Sequence, residues 1–276
     1  MKYAYFPGCK IAHHLPSHGQ SVEAVCTRLG LELAKPEFNC CGYPVRHESR
    51  DASVYSALRN LALAENLGLD LMTPCKCCFG NLQHARHQAD NDEKLKLHMR
   101  DLLSEEGLDF PEKARVRHFL QILDDCPGGV ASAVSRPLTG LKVACHYGCH
   151  ALRPENITHF DDPLAPTIFE RLVAATGASP LPWDLRLECC GYPLRGRDEG
   201  IADLLVTKKM ADAKSSGADV LATACTYCQL QFGNENLKRP QTIPAVLYSR
   251  ILGLALGLAP DELGIGPDDV LARFVV

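Results

Sequence analysis

Ten cysteines stand in two sets whose spacing is typical of metal-binding thiolates. Each set contains a single cysteine after a glycine, a Cys-Cys-Gly triplet and a Cys-x-x-Cys motif. Thiolates presented by rigid loops suit soft metals and iron–sulfur clusters. The candidate ligands are Cys9, Cys40, Cys41, Cys75 and Cys78 in the first set, and Cys149, Cys189, Cys190, Cys225 and Cys228 in the second.

Three kinds of site fit this pattern. A structural zinc site uses four ligands, whereas each set offers five, and two adjacent cysteines crowd a single tetrahedral ion. Adjacent cysteines are better placed to bind different irons of one cluster. An iron–sulfur site is therefore favoured, while zinc and a thiol–disulfide site without metal stay open as alternatives.

Four further cysteines fall outside the two sets. Cys26 lies in a helical pattern and is interpreted as a small buried hydrophobe, and Cys126 and Cys145 are interpreted as structural. Cys77 differs because it lies inside the first Cys-x-x-Cys motif, where the second copy has Tyr227. It is either a spare ligand or reactive thiol, or an incidental residue.

Histidines next to a ligand are candidates for a role in the chemistry. The segment His146-Tyr-Gly-Cys-His150 surrounds Cys149 and is followed by Arg153. A histidine beside a cluster ligand can deliver a proton or donate a hydrogen bond to a sulfur. We therefore take His146, His150 and Arg153 as candidate catalytic helpers, with ordinary loop hydrogen bonding as the alternative.

The elements that must position these residues occur twice. The segment at residues 40–44, Cys-Cys-Gly-Tyr-Pro, returns at residues 189–193, 149 residues later. The Cys-x-x-Cys motifs are 150 residues apart, and Cys9 precedes Cys149 by 140. The chain is thus predicted to be an internally duplicated unit.

Short apolar runs alternate with helix-length amphipathic segments in both copies. The predicted strands are residues 3–6, 69–73, 141–145 and 219–222, and the predicted helices are residues 21–29, 52–67, 163–176, 199–215 and 245–256. This alternation predicts an α/β fold with parallel βαβ units in two pseudo-symmetric halves. Because strand ends in such folds face one crevice, we expect the thiols of each copy to converge.

The two halves are predicted to form separate domains. Residues 125–140, with Pro-Gly-Gly at 127–129 and a further proline at 137, have linker composition. The first domain then covers residues 1–124, and the second covers residues 141–276 and ends in a C-terminal helical tail.

The composition excludes several other classes of protein. Twenty-nine Lys and Arg against 33 Asp and Glu give a net charge of -4, so no nucleic acid or anionic membrane partner is expected. The apolar run at residues 251–259 is too short to span a bilayer. With no signal peptide and no glycine-rich dinucleotide motif in a βαβ unit, a cytoplasmic protein without its own flavin or NAD is expected.

The paired Cys-Cys-Gly motifs, the two Cys-x-x-Cys motifs, residues 5–9 (Tyr-Phe-Pro-Gly-Cys) and residues 143–154 together resemble the CCG-domain proteins, and most of all the B subunit of heterodisulfide reductase. The resemblance runs nearly from end to end. It implies two noncubane [4Fe-4S] clusters, each held by the five cysteines of one set with one thiolate bridging irons. It also implies that a disulfide is cleaved between the clusters in one-electron steps.

The resemblance implies partners as well: the ferredoxin-like C subunit and the flavin-containing A subunit of such a complex, and a disulfide or sulfane-sulfur substrate. Both motifs carry glycine after the paired cysteines, where the methanogenic protein carries proline after its pair. This favours a divergent branch, in which the reaction can run in the oxidative direction. The expected activity is that of an oxidoreductase acting on sulfur groups. The alternative is a non-catalytic electron-transfer or adaptor component of a succinate, glycolate or lactate dehydrogenase complex, because relatives of that kind share the motifs.

Overall fold

A computed structural model describes residues 1–274 and contains two four-stranded parallel sheets, one in each copy of the repeat. The third strand of each sheet is buried along its whole length, as expected for parallel strands covered on both faces. The predicted α/β fold with two pseudo-symmetric halves is confirmed.

The first sheet has the strand order β2-β1-β3-β4. Its strands are β1 (Lys2–Tyr5), β2 (Glu32–Ala34), β3 (Leu71–Thr73) and β4 (Val116–His118). The helices of this half are α1 (Cys9–His14), α2 (Pro16–Arg28), α3 (Arg50–Asn66), α4 (Lys76–Asp90), α5 (Glu93–Glu105) and α6 (Phe119–Asp124).

The second sheet repeats the topology with the order β6-β5-β7-β8. Its strands are β5 (Lys142–Cys145), β6 (Ser179–Leu181), β7 (Val220–Thr223) and β8 (Ala245–Leu247). The helices are α7 (Glu155–Thr158), α8 (Ile168–Ala175), α9 (Glu199–Ser215), α10 (Thr226–Lys238) and α11 (Tyr248–Ala255).

Three predicted helices were partly wrong. The helix expected at 21–29 begins five residues earlier, at Pro16. The helix expected at 163–176 begins only at Ile168, because the carboxylates of Asp161 and Asp162 accept backbone N–H groups of the preceding segment and hold it as a loop. The helix expected at 245–256 begins three residues late. Its first part is β8, which pairs in parallel with β7 through Ala222 and Val246.

The two halves share one hydrophobic core. Helix α11 packs against α2 of the first half, α4 packs against α7, and α6 packs against α8. Between the sheets, residues 125–140 form loops and one 3-10 turn, Val130–Ala133. The domain limits stay a prediction, and residues 275 and 276 of the predicted second domain lie outside the described residues. Among residues 1–274, no helix has the length and apolar character that a membrane crossing needs.

Candidate metal centre

The candidate ligands lie where parallel strands end. In each half, one cysteine follows the first strand, the adjacent pair follows the edge strand, and the Cys-x-x-Cys motif opens the helix after the third strand. Cys75 and Cys225 are the residues at which α4 and α10 begin, both with extended backbone. Because these strand ends meet at one edge of each sheet, the five thiols of each half are brought together.

The glycine of each Cys-Cys-Gly triplet has a specific structural role. Gly42 and Gly191 have φ values of +87° and +85°, a left-handed conformation that favours glycine. A Cβ atom on Gly42 would lie 2.5 Å from the carbonyl oxygen of Ser53, and one on Gly191 would lie 2.9 Å from that of Ala202. The glycine therefore lets the paired cysteines turn back over the helix that follows.

Thiol–thiol interactions link the ten sulfurs into one continuous series. The two halves meet where the Sγ atoms of Cys75 and Cys225 lie 4.0 Å apart. The series runs through Cys9, Cys40, Cys41, Cys78, Cys75, Cys225, Cys228, Cys190, Cys189 and Cys149. The two five-cysteine sets thus form neighbouring sites.

Neighbouring thiols lower the pKa of one member of each adjacent pair. Interaction with Cys41 lowers the pKa of Cys40 to about 2. In the second half, interaction with Cys149 lowers the pKa of Cys189 to about 2. The pKa of Cys225 is also held well below its usual value by its neighbouring thiols. Each half therefore contains a thiolate at neutral pH, the form in which cysteine binds metal.

The donor set fits a soft metal or an iron–sulfur cluster. All fourteen cysteines lie within the described residues and are free thiols. In the second site the ligand atoms of His146, Cys190 and Cys228 all lie within 4.8 Å of one another. Several convergent sulfurs per half suit iron–sulfur chemistry, whereas magnesium and calcium prefer oxygen donors.

His146 lies behind the second set of cysteines. It is 1% exposed, and its Nε2 lies 3.2 Å from the Sγ of Cys228. Burial is the main cause that holds the pKa of His146 well below its usual value, with a smaller contribution from the Lys209 charge. The ring is therefore neutral, and its Nε2–H tautomer can donate to the Cys228 sulfur.

His150 lies at the junction of the two halves. Its Nδ1 is 3.4 Å from the Sγ of Cys149, and its Nε2 is 3.2 Å from the hydroxyl of Tyr43 in the first half. Arg153, by contrast, is exposed and donates to the backbone carbonyl of Pro163. The helper roles of these side chains stay predictions.

Cys77 belongs to the first half but points at the second set. Its Sγ lies 3.8 Å from the Sγ of Cys225 and 3.8 Å from the Nδ1 of His150. Together with Cys149, Cys189 and other ligands of the second half, it lines a small enclosed cavity. The second site therefore has a sixth thiol beside it.

Two buried lysines also lie at the second site, and the sequence analysis missed them. Lys76 and Lys209 are 2% and 1% exposed, and within residues 1–274 neither forms an ion pair with a carboxylate. Lys76 donates to the carbonyl of His146, and its Nζ lies 4.8 Å from the ring centroid of Phe169. Lys209 donates to the carbonyl of Leu185.

The sequence did contain a signal for Lys209. It follows Val206 by three residues and precedes Ala213 by four, so it shares the buried face of α9. Burial lowers its pKa, and that of Lys76, to about 8. The Nζ of Lys209 lies 4.8 Å from the ring centroid of Trp183, which is 6% exposed and closes this side of the site.

Comparison with known proteins agrees with the duplicated cysteine motifs. The family model described as "Cysteine-rich domain" (CCG) matches residues 3–83 and 143–233. The B subunit of the ferredoxin/F(420)H(2)-dependent CoB-CoM heterodisulfide reductase of Methanosarcina acetivorans is 34% identical over 96% of this chain and 92% of its own length. The 8-methylmenaquinol:fumarate reductase membrane anchor subunit of Wolinella succinogenes is 33% identical over 96% of this chain and 95% of its own.

The fold also has a solved counterpart. A crystal structure of a hypothetical protein from Helicobacter pylori superposes with a TM-score of 0.77 at 15% sequence identity. The match covers 95% of this chain and 50% of that chain, so this chain corresponds to half of the longer protein. From the two family matches and the end-to-end relatives, the chain belongs to the CCG-domain family that includes the B subunit of heterodisulfide reductase.

Proposed function

We propose that this chain is the iron–sulfur subunit of a heterodisulfide-reductase-like complex. Its ten cysteines hold two [4Fe-4S] clusters, of the noncubane kind, at which a sulfur–sulfur bond is cleaved or, in the reverse direction, formed. Its partners would be a ferredoxin-like subunit and a flavoprotein subunit, and the ferredoxin in the name of the Methanosarcina acetivorans relative supports the first of these.

The observation that carries this proposal is the contact between the two sets of thiols. With 4.0 Å between the sulfurs of Cys75 and Cys225, two centres would lie side by side within one fold. A single electron-transfer step needs one centre, whereas reducing a sulfur–sulfur bond to two thiolates takes two electrons in total, which two centres can supply one at a time. Paired sites at this separation suit the second task.

The residues of this chain would bind the clusters, shield them from water and protonate the sulfur that leaves. When bound, the clusters supply one-electron steps and iron positions that can accept sulfur. Burial of Cys75 and Cys225 excludes water from the junction between the sites. Burial lowers the pKa of His150, so its neutral ring, held between the Cys149 sulfur and the Tyr43 hydroxyl, would relay a proton to a sulfur that leaves as a thiolate, taking one up at its other nitrogen.

A surface cavity of about 330 Å³ shares the lining residue His150 with the small cavity at the second set of cysteines. It is also lined by Arg46, Arg50, His47 and His84, and among the described residues no carboxylate lines it. This charge pattern suits a thiol or disulfide that carries an anionic group.

The proposal is tested by anaerobic purification, iron analysis and titration with a disulfide or a persulfide under electron paramagnetic resonance. About eight irons per chain and a new substrate-dependent signal are expected. Zinc without iron would reject the proposal. Intact iron with unchanged spectra would leave the second candidate, an electron-transfer subunit that never contacts substrate. The likeness to the Wolinella fumarate reductase protein favours that candidate.

A further inference from the structure

The residues around the two cysteine sets differ far more than the sets themselves. Applying the repeat offsets, His146 corresponds to Phe6, Lys209 to Asn60 and Lys76 to Thr226. All six side chains are buried. The surroundings of the first set of cysteines therefore contain three neutral side chains, Phe6, Asn60 and Thr226, where those of the second set contain two ammonium groups and an imidazole.

Two side chains that reach from one half to the site of the other half add to the difference in charge between the two sites. Lys76 belongs to α4 of the first half, yet it donates to the His146 carbonyl and lines the cavity of the second set. Thr226, its counterpart in α10, reaches back so that its Oγ1 lies 3.0 Å from the Sγ of Cys75. Each half thus contributes one residue of this pair to the surroundings of the other half's site, and the charged residue of the pair lies at the second site.

The buried ammonium groups need a negative partner. A buried charge without a partner costs several kcal/mol, and both lysines are satisfied only by a backbone carbonyl and by aromatic rings. As metal ligands, the cysteines of the second set would supply this negative charge. Lys76 lines their cavity, and Cys228 in its thiolate form raises the pKa of each lysine more than any other charged group does. The lysines therefore face an anionic centre.

Other charged groups do not reverse the imbalance. Near the first set, Lys10 lies beside Cys9 but is only half-buried. Near the second set, Glu170 is paired with Arg186, and Glu188 lies close to Lys209. Two fully buried cations with one nearby carboxylate still leave the second site the more positive one.

Accepting the proposed clusters, we infer that the two sites are electrically unequal, and that Lys76, Lys209 and His146 make the second-half site the one that more readily accepts an electron. Positive charge and an N–H donor near sulfur stabilise the reduced, more negative form of a centre. The first-half site, which has Phe6 and Asn60 at the corresponding positions, then donates its electron to the second-half site, where the electron stays.

The test is an anaerobic redox titration of the iron-loaded full chain with dithionite, followed by electron paramagnetic resonance. The expected result is two separate one-electron waves. Lys209→Met should lower the higher midpoint potential so that the ratio of reduced to oxidised centre falls at least tenfold at fixed potential, about 59 mV for a one-electron couple. Lys208→Met, an exposed neighbour with the same change, should move neither wave.

Reciprocal variants keep the test decisive if Lys209→Met fails to hold iron. His146→Phe should lower the higher wave, and Phe6→His should raise the lower one. Coincident waves in the unmodified chain, a shift of the lower wave in Lys209→Met, or an unchanged lower wave in Phe6→His would overturn the inference.

The outcome is separable from that of the proposed function because the titration uses no sulfur substrate. A chain without iron rejects the function. A chain with about eight irons whose two waves coincide rejects only the electrical inequality. Separate waves without any response to disulfide or persulfide leave the inequality standing and reject catalysis.

Discussion

Cys77 has no cysteine counterpart in the second copy, yet it lies beside the second set of ligands. Because both five-cysteine sets are complete without it, we expect Cys77→Ser to keep about eight irons per chain. Cys225→Ser, which removes an assigned ligand 3.8 Å away, should lose iron. Iron analysis and the visible absorption spectrum measure both.

Cys126→Ser supplies the control, since Cys126 lies outside both sets and should behave as the unmodified chain. Loss of iron in Cys77→Ser to the level seen in Cys225→Ser would make Cys77 a ligand and would contradict the assignment of ten.

Gly80 is a second residue at which a single added carbon atom is expected to change the stability of the fold. A Cβ there would lie 2.4 Å from the carbonyl oxygen of His150, so Gly80→Ala must push α4 away from the second half. We expect a loss of about 1–3 kcal/mol in the free energy of unfolding, measured by urea denaturation. Gly233, in α10, has no atom within 4 Å of its added Cβ.

Gly233→Ala is therefore the matched control, and it should gain up to about 1 kcal/mol because alanine favours a helix interior. Equal stability of the two variants would mean that the approach of α4 to His150 is looser than described.

At this scale, residue type and spacing were enough to pick out ten thiols that the structure brings together, and their role as ligands stays a prediction. They were not enough to find Lys76. A lysine within a polar sequence is ordinarily exposed, and only the contact of Lys76 with the His146 carbonyl of the other half accounts for its burial. Lys209 differs, because its position on the buried face of α9 is visible in the spacing.

At the scale of the elements, His118 joins β4 to α6 and also connects the halves. Its Nδ1 accepts the backbone N–H of Leu120, and its Nε2 donates to the carbonyl of Ala224. Burial, aided by the Lys76 charge, lowers the pKa of His118 to about 3 from 6.5. Below pH 6.5 the unfolded chain binds a proton that the folded chain does not.

The free energy of unfolding should therefore fall as the pH drops from 6.5 towards 3, by about 1.4 kcal/mol per pH unit for this group. His118→Asn keeps an oxygen acceptor for the Leu120 N–H. Because it removes one titrating group, it should lower the slope of the free energy of unfolding against pH between pH 5 and 6 by about 1.4 kcal/mol per pH unit. Urea denaturation at several pH values gives the slope. The exposed His98→Asn control should leave it unchanged, and an unchanged slope in His118→Asn would contradict the pKa.

The two longest helices, α3 and α9, followed from the sequence, whereas α4, α5 and α10, with 15, 13 and 13 residues, were not among the predicted helices. Helix α9 was predicted at its observed bounds, because Ala202, Val206, Met210 and Ala213 recur at intervals of three or four residues. The three-residue edge strands β2, β4, β6 and β8 were not predicted as strands. Their stability comes from pairing with a neighbouring strand, which local sequence does not encode.

At the scale of the whole molecule, the shared core predicts one cooperative unfolding transition. Trp183 is the single tryptophan and lies in the second half, so its fluorescence reports that half alone. Far-ultraviolet circular dichroism reports both halves. We expect the two signals to change at the same urea concentration in the reduced chain.

A fluorescence midpoint separated from that of circular dichroism would mean that the halves unfold independently. Gly80→Ala serves as the comparison, because it weakens the contact between α4 and His150. Among single substitutions, this one should be the most able to separate the fluorescence midpoint from that of circular dichroism.

The duplication itself was visible in the sequence, but the way the copies face each other was not. Repeated motifs predict two similar halves, whereas the approach of Cys75 to Cys225 depends on how α4 and α10 pack. That packing is made of many long-range contacts, none of which leaves a local pattern.

Lys76 and Thr226 each lie in one half and contact the site of the other half, and this arrangement has a consequence for how the chain can evolve. A duplicated gene ordinarily frees one copy to drift while the other keeps the ancestral task. Here a substitution at position 76 alters the neighbour's environment instead of its own, as does one at position 226. Neither repeat is then free to diverge alone, and the chain has to evolve as a single unit.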